Sequence, residues 1–196
     1  MYSIKQKGMT LIELTVVLLI LVALAGLALP YVSGTSRKAL CDATDVSMMN
    51  IKQVIMGRYY LDTLGNFPVS KSGSTIGSDY SLDYLFVDGG WQLFDLDSQV
   101  GWNGPYLQGS QALDSWGRPF VLQVVNNADC IAAAKWNIST SEPFCARVVS
   151  AGAGSGLGAG NGSVDTVITE PKSGDDRVLY LNVPTPAGDI NTPCGS

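Results

Sequence analysis

The sequence predicts an α+β chain: a long N-terminal α-helix, its apolar half protruding and its distal half packed on a small antiparallel β-sheet. Three observations carry this. From Met9 to Val32, 24 residues hold a single charge, Glu13. From Thr35 to Leu61 there is no proline and one glycine, Gly57, and small to medium residues recur at steps of three and four. Beyond residue 65, strand-like runs at 120–125, 146–150 and 178–183 are separated by turn-forming residues.

The chain has 196 residues, about one domain plus an appendage. Apolar residues make up 46% of it, enough for a core, with much of that hydropathy in the Met9–Val32 stretch. The formal charge is −5; without Lys5 and Lys7, 10 basic residues face 17 acidic ones, about −7. A nucleic-acid surface needs clustered Lys and Arg, so no nucleic-acid partner is expected. An acidic body suits cations. With no histidine in the chain, His-based catalysis and His-ligated metals are excluded. No nucleophile–base pair stands out either, so an enzyme is not expected.

The first element is a short basic leader, residues 1–8, ending at Gly8. The 24 apolar residues that follow span roughly 36 Å as a helix, enough to cross a bilayer. Lys5 and Lys7 ahead of them place the N-terminus in the cytoplasm and the rest of the chain on the far side. Ala23-Leu-Ala25 has signal-peptidase spacing but comes too early to end the run. Glu13 is the odd residue, because a carboxylate in an apolar helix costs a few kcal/mol unless it is paired or reaches the interface. Snorkelling to the headgroups and a functional role are both open on this residue alone.

Gly8-Met-Thr-Leu-Ile-Glu13-Leu resembles the processing motif of type IV pilins and type II secretion pseudopilins. The resemblance implies a pilin-like fold and cleavage between Gly8 and Met9 by a prepilin peptidase. It implies methylation of the new N-terminus at Met9, and a filament role for Glu13, the fifth residue of the product. Met9 stands where the family more often has Phe. The freed amine lies one helical turn from Glu13, so it can neutralise its own or a neighbour's carboxylate; in the family such pairing is thought to set axial register. Gly26 and Pro30 fall where the family loosens this helix, and Pro30 removes an N–H and clashes with the turn before it. A plain helix end at the membrane surface is the other reading of Pro30. Residues 9–32 are then a transmembrane and assembly helix.

Residues 33–64 continue the helix. Ala39, Ala43, Val46, Asn50, Val54 and Gly57 form the expected buried stripe, flanked by Met49 and Ile55. Arg37 and Lys38 read as solvated. Leu64-Gly-Asn-Phe-Pro68 supplies breaker chemistry, and 65–196 form the globular part. Residues 69–119 read as irregular, with a short helix near 79–86. Within them Trp102-Asn-Gly-Pro-Tyr-Leu107 and Asp114-Ser-Trp-Gly-Arg-Pro-Phe120 are turn-then-apolar units. Trp116 and Phe120 are expected in the core, with Gly117 supplying an unusual backbone angle. These units look like those of the major pseudopilin of type II secretion, where they pack the sheet against the helix.

Four cysteines allow three pairings. Outside the cytoplasm disulfides are permitted; Cys130–Cys145 closes a local loop, which leaves Cys41 with Cys194. The alternative is that one or more stay free. The glycine-rich stretch 150–163 formally contains a dinucleotide fingerprint, but no helical pattern follows it. After it come Asp165 and then Gly174-Asp175-Asp176. Oxygen-rich loops with two or three carboxylates suit calcium, and the major pseudopilins hold calcium in a loop between their last strands. Asp165, Asp175 and Asp176 are the expected ligands, with turn chemistry as the plain reading. Asn137-Ile-Ser139 fits a glycosylation sequon, a triplet common by chance.

The expected function is structural. The chain polymerises into a pseudopilus or type IV pilus, first stored in the bacterial inner membrane and then periplasmic or extracellular. Expected partners are further copies of itself, membrane lipid before assembly, the peptidase, an inner-membrane assembly platform and minor pilins or pseudopilins. The alternative is a minor or tip pilin acting as an adhesin or binding module.

Overall fold

The computed structural model describes residues 11–68, 79–90, 92–108, 112–132, 135–152, 172, 174 and 176–191, with backbone alone for 27–34 and 79–81. Helix α1, Leu11–Val54, is 44 residues long. It passes directly into a π-helical turn, Ile55–Tyr59, and a short last piece, α2, Tyr60–Asp62. The helix stops where the sequence loses helical residues. Thr63 Oγ1 donates back to the Tyr59 carbonyl at 2.6 Å. Leu64 and Gly65 turn left-handed at φ 54° and 84°, and the Gly65 N–H closes on the Tyr60 carbonyl at 2.7 Å. This gives the last carbonyls their donors.

The period expected for the distal helix is right and the face is not. Its buried residues are Cys41, Thr44, Met48, Ile51, Ile55 and Tyr59. Ala39, Ala43, Val46, Asn50 and Gly57 face solvent, and Val54 is half-buried. The larger side chains remove more apolar area from water, so they win the inward side.

Four strands form one antiparallel sheet in chain order: β1 Asp79–Ser81, β2 Val121–Asn126, β3 Phe144–Ser150 and β4 Arg177–Tyr180. The expected helix near 79–86 is instead β1 followed by a 3-10 turn, Leu82–Leu85. The last strand is also shorter than its apolar run, since the chain bends at 181–183. There the Leu181 N–H still donates to the Ala146 carbonyl at 2.9 Å, and the Asn182 side chain adds to it, accepting from the Ala146 N–H at 3.1 Å and donating to the Phe144 carbonyl at 2.7 Å.

The inward face of the sheet packs on the helix through Met48, Ile51, Ile55, Tyr59, Phe120, Leu122, Val124, Ala146 and Val148. The turn at 114–117 fastens the two. Buried Asp114 accepts from the Trp116 and Arg118 N–H groups and from the Ser150 hydroxyl. The adjoining Ser115 N–H reaches the Thr44 hydroxyl on α1 at 3.2 Å. Gly117 has φ 78°, a left-handed angle that glycine adopts at little cost. Phe120 is in the core, whereas Trp116 is only half-buried.

The outward face is covered too, which the sequence reading did not anticipate. Between β2 and β3 the chain makes helix α3, Asn127–Ile131, capped by the Asn126 side chain on the Asp129 N–H. It then folds Trp136 and Ile138 over the sheet, beside Val125, Val149, Val178 and Tyr180. Strand β3 is therefore buried on both faces.

Candidate functional site

The feature most in need of a function is the first part of α1. Eleven large apolar side chains from Leu11 to Leu24 are 47–82% exposed. At about 100° per residue they point to every side of the helix. Their polar neighbours are few: Thr15 donates to the Ile12 carbonyl at 3.0 Å, and Glu13 lies in the first turn. An acidic side chain there is favoured by the helix dipole. Gly8 and Met9 lie outside the described residues, as does the Pro30 side chain. Side chains of this apolar stretch are described over residues 11–26. Among the described residues, no helix is long and apolar enough to cross a membrane.

The globular end carries two buried charged groups that the sequence reading missed. Arg147 sits in mid-strand on β3, and its neighbours in the ladder are Gln123 on β2 and Tyr180 on β4. All three side chains lie on the outward face. Arg147 Nε donates to Gln123 Oε1 at 2.7 Å and Nη1 to the Tyr180 hydroxyl at 2.9 Å. The guanidinium lies 4.4 Å from the Trp136 ring centre, a cation–π contact strengthened by the dry surroundings. Asp189, in the 3-10 turn Ala187–Asp189, completes the group. It accepts from the Tyr180 hydroxyl at 2.5 Å and from the Lys172 N–H at 3.1 Å. Burial, then the neighbouring Asp189, pushes the Tyr180 hydroxyl well above the usual phenol range, against the pull of Arg147. The legible signal was a lone arginine inside the apolar run 146–150.

The second group joins helix and sheet. Arg177 grips Asp45 of α1 with two nitrogens, Nε to Oδ1 at 2.5 Å and Nη2 to Oδ2. Its Nη1 lies 3.8 Å from Cys41 Sγ. Lys52, about two turns further along α1, donates to the Tyr180 carbonyl at 2.7 Å, and burial lowers its pKa. Both contacts join α1 to β4.

Cys130 and Cys145 are joined by a disulfide across the β2–β3 excursion. Cys41 is also disulfide-bonded, and Cys194 lies outside the described residues. Of the expected calcium ligands, Asp165 and Asp175 lie outside the described residues. Asp176 is 1% exposed immediately ahead of β4. Among the described residues no group of three or more acidic or cysteine side chains is placed to hold a metal ion. Asn137, of the sequon, is exposed just after the turn at 135–136, with φ 53°. No protein-family model matches this chain, and searches of curated proteins and of solved structures return no match.

Proposed function

We propose that the chain is a pilin-like filament subunit. It is made as an inner-membrane precursor with a cytoplasmic N-terminus, cut between Gly8 and Met9, methylated at Met9, and assembled through its N-terminal helix into a pseudopilus or type IV pilus. One observation carries the reading: the eleven uncovered apolar side chains between Leu11 and Leu24. Fully burying such a side chain is worth about 1.5–3 kcal/mol, and these remain 47–82% exposed, so the stretch forgoes on the order of 10–20 kcal/mol if left in water. It needs lipid or other copies around it. The helix is also continuous with the stalk that the sheet grips, so burial at one end positions a rigid body at the other.

In this reading lipid hosts the helix first and sister helices replace lipid on assembly. Glu13 is the one charge in residues 11–26. Buried among sister helices it would require a counter-charge, and the methylated amine one turn away supplies it. Pro30 lets the apolar half adjust its direction during the transfer. The role is structural, and no reaction is assigned. The test is the native protein's intact mass together with a Glu13→Ala variant. The expected mass starts at Met9 with one added methyl. The variant is expected to be processed normally and to yield few filaments; wild-type filament yields from it would refute the role given to Glu13.

A further inference from the structure

We infer that the disulfide held by Cys41 is an exchange site for a dithiol oxidoreductase, opened and closed on the folded chain, whereas Cys130–Cys145 is a permanent crosslink. The chain has four cysteines. Cys130 and Cys145 hold each other, and Cys41 is disulfide-bonded, which leaves Cys194 as its partner.

The two bonds meet different surroundings. Cys130 and Cys145 are both 0% exposed, in a cluster with Val125, Trp136, Val149 and Tyr180. Arg147, two residues along β3 from Cys145, turns its Nε and Nη1 to Gln123 and the Tyr180 hydroxyl. Apolar burial disfavours a thiolate, so neither of these sulfurs leaves readily. Cys41 is 8% exposed, and Arg177 Nη1 donates to its Sγ at 3.8 Å. The charged groups set against this sulfur are thus Arg177 from β4 and, through it, Asp45 one turn along α1, which holds Nε and Nη2 of the same guanidinium. A cation fixed beside a sulfur favours its thiolate. Asp45 orients that cation and offsets part of its charge.

In the exchange, a thiolate of the oxidoreductase attacks Cys194 Sγ and bonds to it. The Cys41–Cys194 bond breaks, and its electron pair stays on Cys41 as a thiolate facing Arg177. A leaving thiol of lower pKa departs faster, which selects Cys41 as the leaving sulfur. The partner's second thiolate then displaces Cys194, which takes up a proton, and the partner is left oxidised to its own disulfide. The reverse sequence closes the bond. The tail is also held without it: Asn191 accepts from the Val178 N–H at 3.0 Å and donates to the Val178 carbonyl at 2.9 Å, and Asp189 accepts from the Tyr180 hydroxyl.

The test treats the full chain with dithiothreitol, then alkylates and maps the cysteines. Cys41–Cys194 is expected to open on the order of tenfold faster than Cys130–Cys145, with the circular dichroism still native. Arg177→Gln is expected to slow that opening roughly threefold or more, and Asp45→Asn to speed it. If Arg177 only braced the strand against the helix, its loss would loosen the site and speed the opening instead. In Cys194→Ser, the freed Cys41 is expected to alkylate at lower pH than in the same chain carrying Arg177→Gln. Cys41 joined to any sulfur but Cys194, the two bonds opening together, Arg177→Gln opening as fast as wild type, or Asp45→Asn opening more slowly each overturns the exchange site. None of these readouts involves assembly, so the subunit reading stands or falls separately.

Discussion

Arg147 Nη1 stands 3.5 Å from Asp189 Oδ2, and neither side chain is more than 2% exposed. The pair links mid-sheet to the last turn of the described chain, with Gln123 and the Tyr180 hydroxyl taking up further hydrogen-bonding positions. A buried pair of this kind gains little over an apolar replacement, but removing one partner strands a charge in a dry place, at about 3–5 kcal/mol. Asp189→Ala is therefore expected to lower the unfolding free energy by about that amount. Arg147→Met combined with Asp189→Leu should cost less than the two single changes added together. Urea titration of the three variants reads both quantities, and a loss below about 1 kcal/mol for Asp189→Ala would mean that water reaches the pair.

A second expectation concerns alkaline stability. The Tyr106 hydroxyl is pushed up to about 12, first by burial and then by Asp62, which accepts its proton at 2.9 Å. An unfolded tyrosine ionises near about 10. Between about pH 10 and 12 the unfolded chain sheds this proton while the folded chain holds it, so the unfolded state binds fewer protons and stability falls as pH rises. Below about pH 10 the contribution is fully present. Tyr180 is raised too, chiefly by burial, and adds to the same descent. Melting temperature measured from pH 8 to 12 is expected to drop more gently in Tyr106→Phe than in wild type.

A third follows from the disulfide. Cys130 and Cys145 are 15 residues apart in sequence, and closing a loop of that size is worth about 3 kcal/mol in chain entropy. The loop carries Trp136, which covers Arg147, and Ile138, which joins the same outer cluster. Cys130→Ala with Cys145→Ala is expected to lose about 3 kcal/mol in urea unfolding. An unchanged midpoint would show that the Trp136 cover closes without the crosslink.

What the sequence disclosed depended on how local the cause was. The apolar run, the breaker residues at 64–68, the left-handed Gly117 and the three longer strands all follow from neighbours in the chain. The pairing of Cys130 with Cys145 was legible because the loop between them is short. The buried face of α1 was misread because the choice between the Ala39–Ala43 side and the Cys41–Thr44 side is made by the sheet, through contacts such as Ser115 to Thr44. Strand β1 was missed because its three residues owe their extended form to pairing with 121–123. Arg147 and Asp189 are 42 positions apart, and no local pattern announces that they meet.

The last expectation concerns calcium. Asp176 is a carboxylate withdrawn from solvent at the entrance to β4, just after Gly174 turns left-handed at φ 60°. A buried carboxylate must be met by donors or by a cation, so its chemistry is compatible with the calcium site proposed for Asp165, Asp175 and Asp176. When bound, calcium would supply a divalent charge shared among oxygen ligands, and the protein's part is to bring those oxygens together. A ligand that binds only the folded state raises its stability by mass action. Adding excess calcium to the chelator-treated mature protein is expected to raise its melting temperature, magnesium much less, and Asp176→Asn should remove the response. A melting temperature indifferent to both chelator and calcium would instead assign these aspartates to turn chemistry, and Asp176 to the hydrogen bonding of the fold itself.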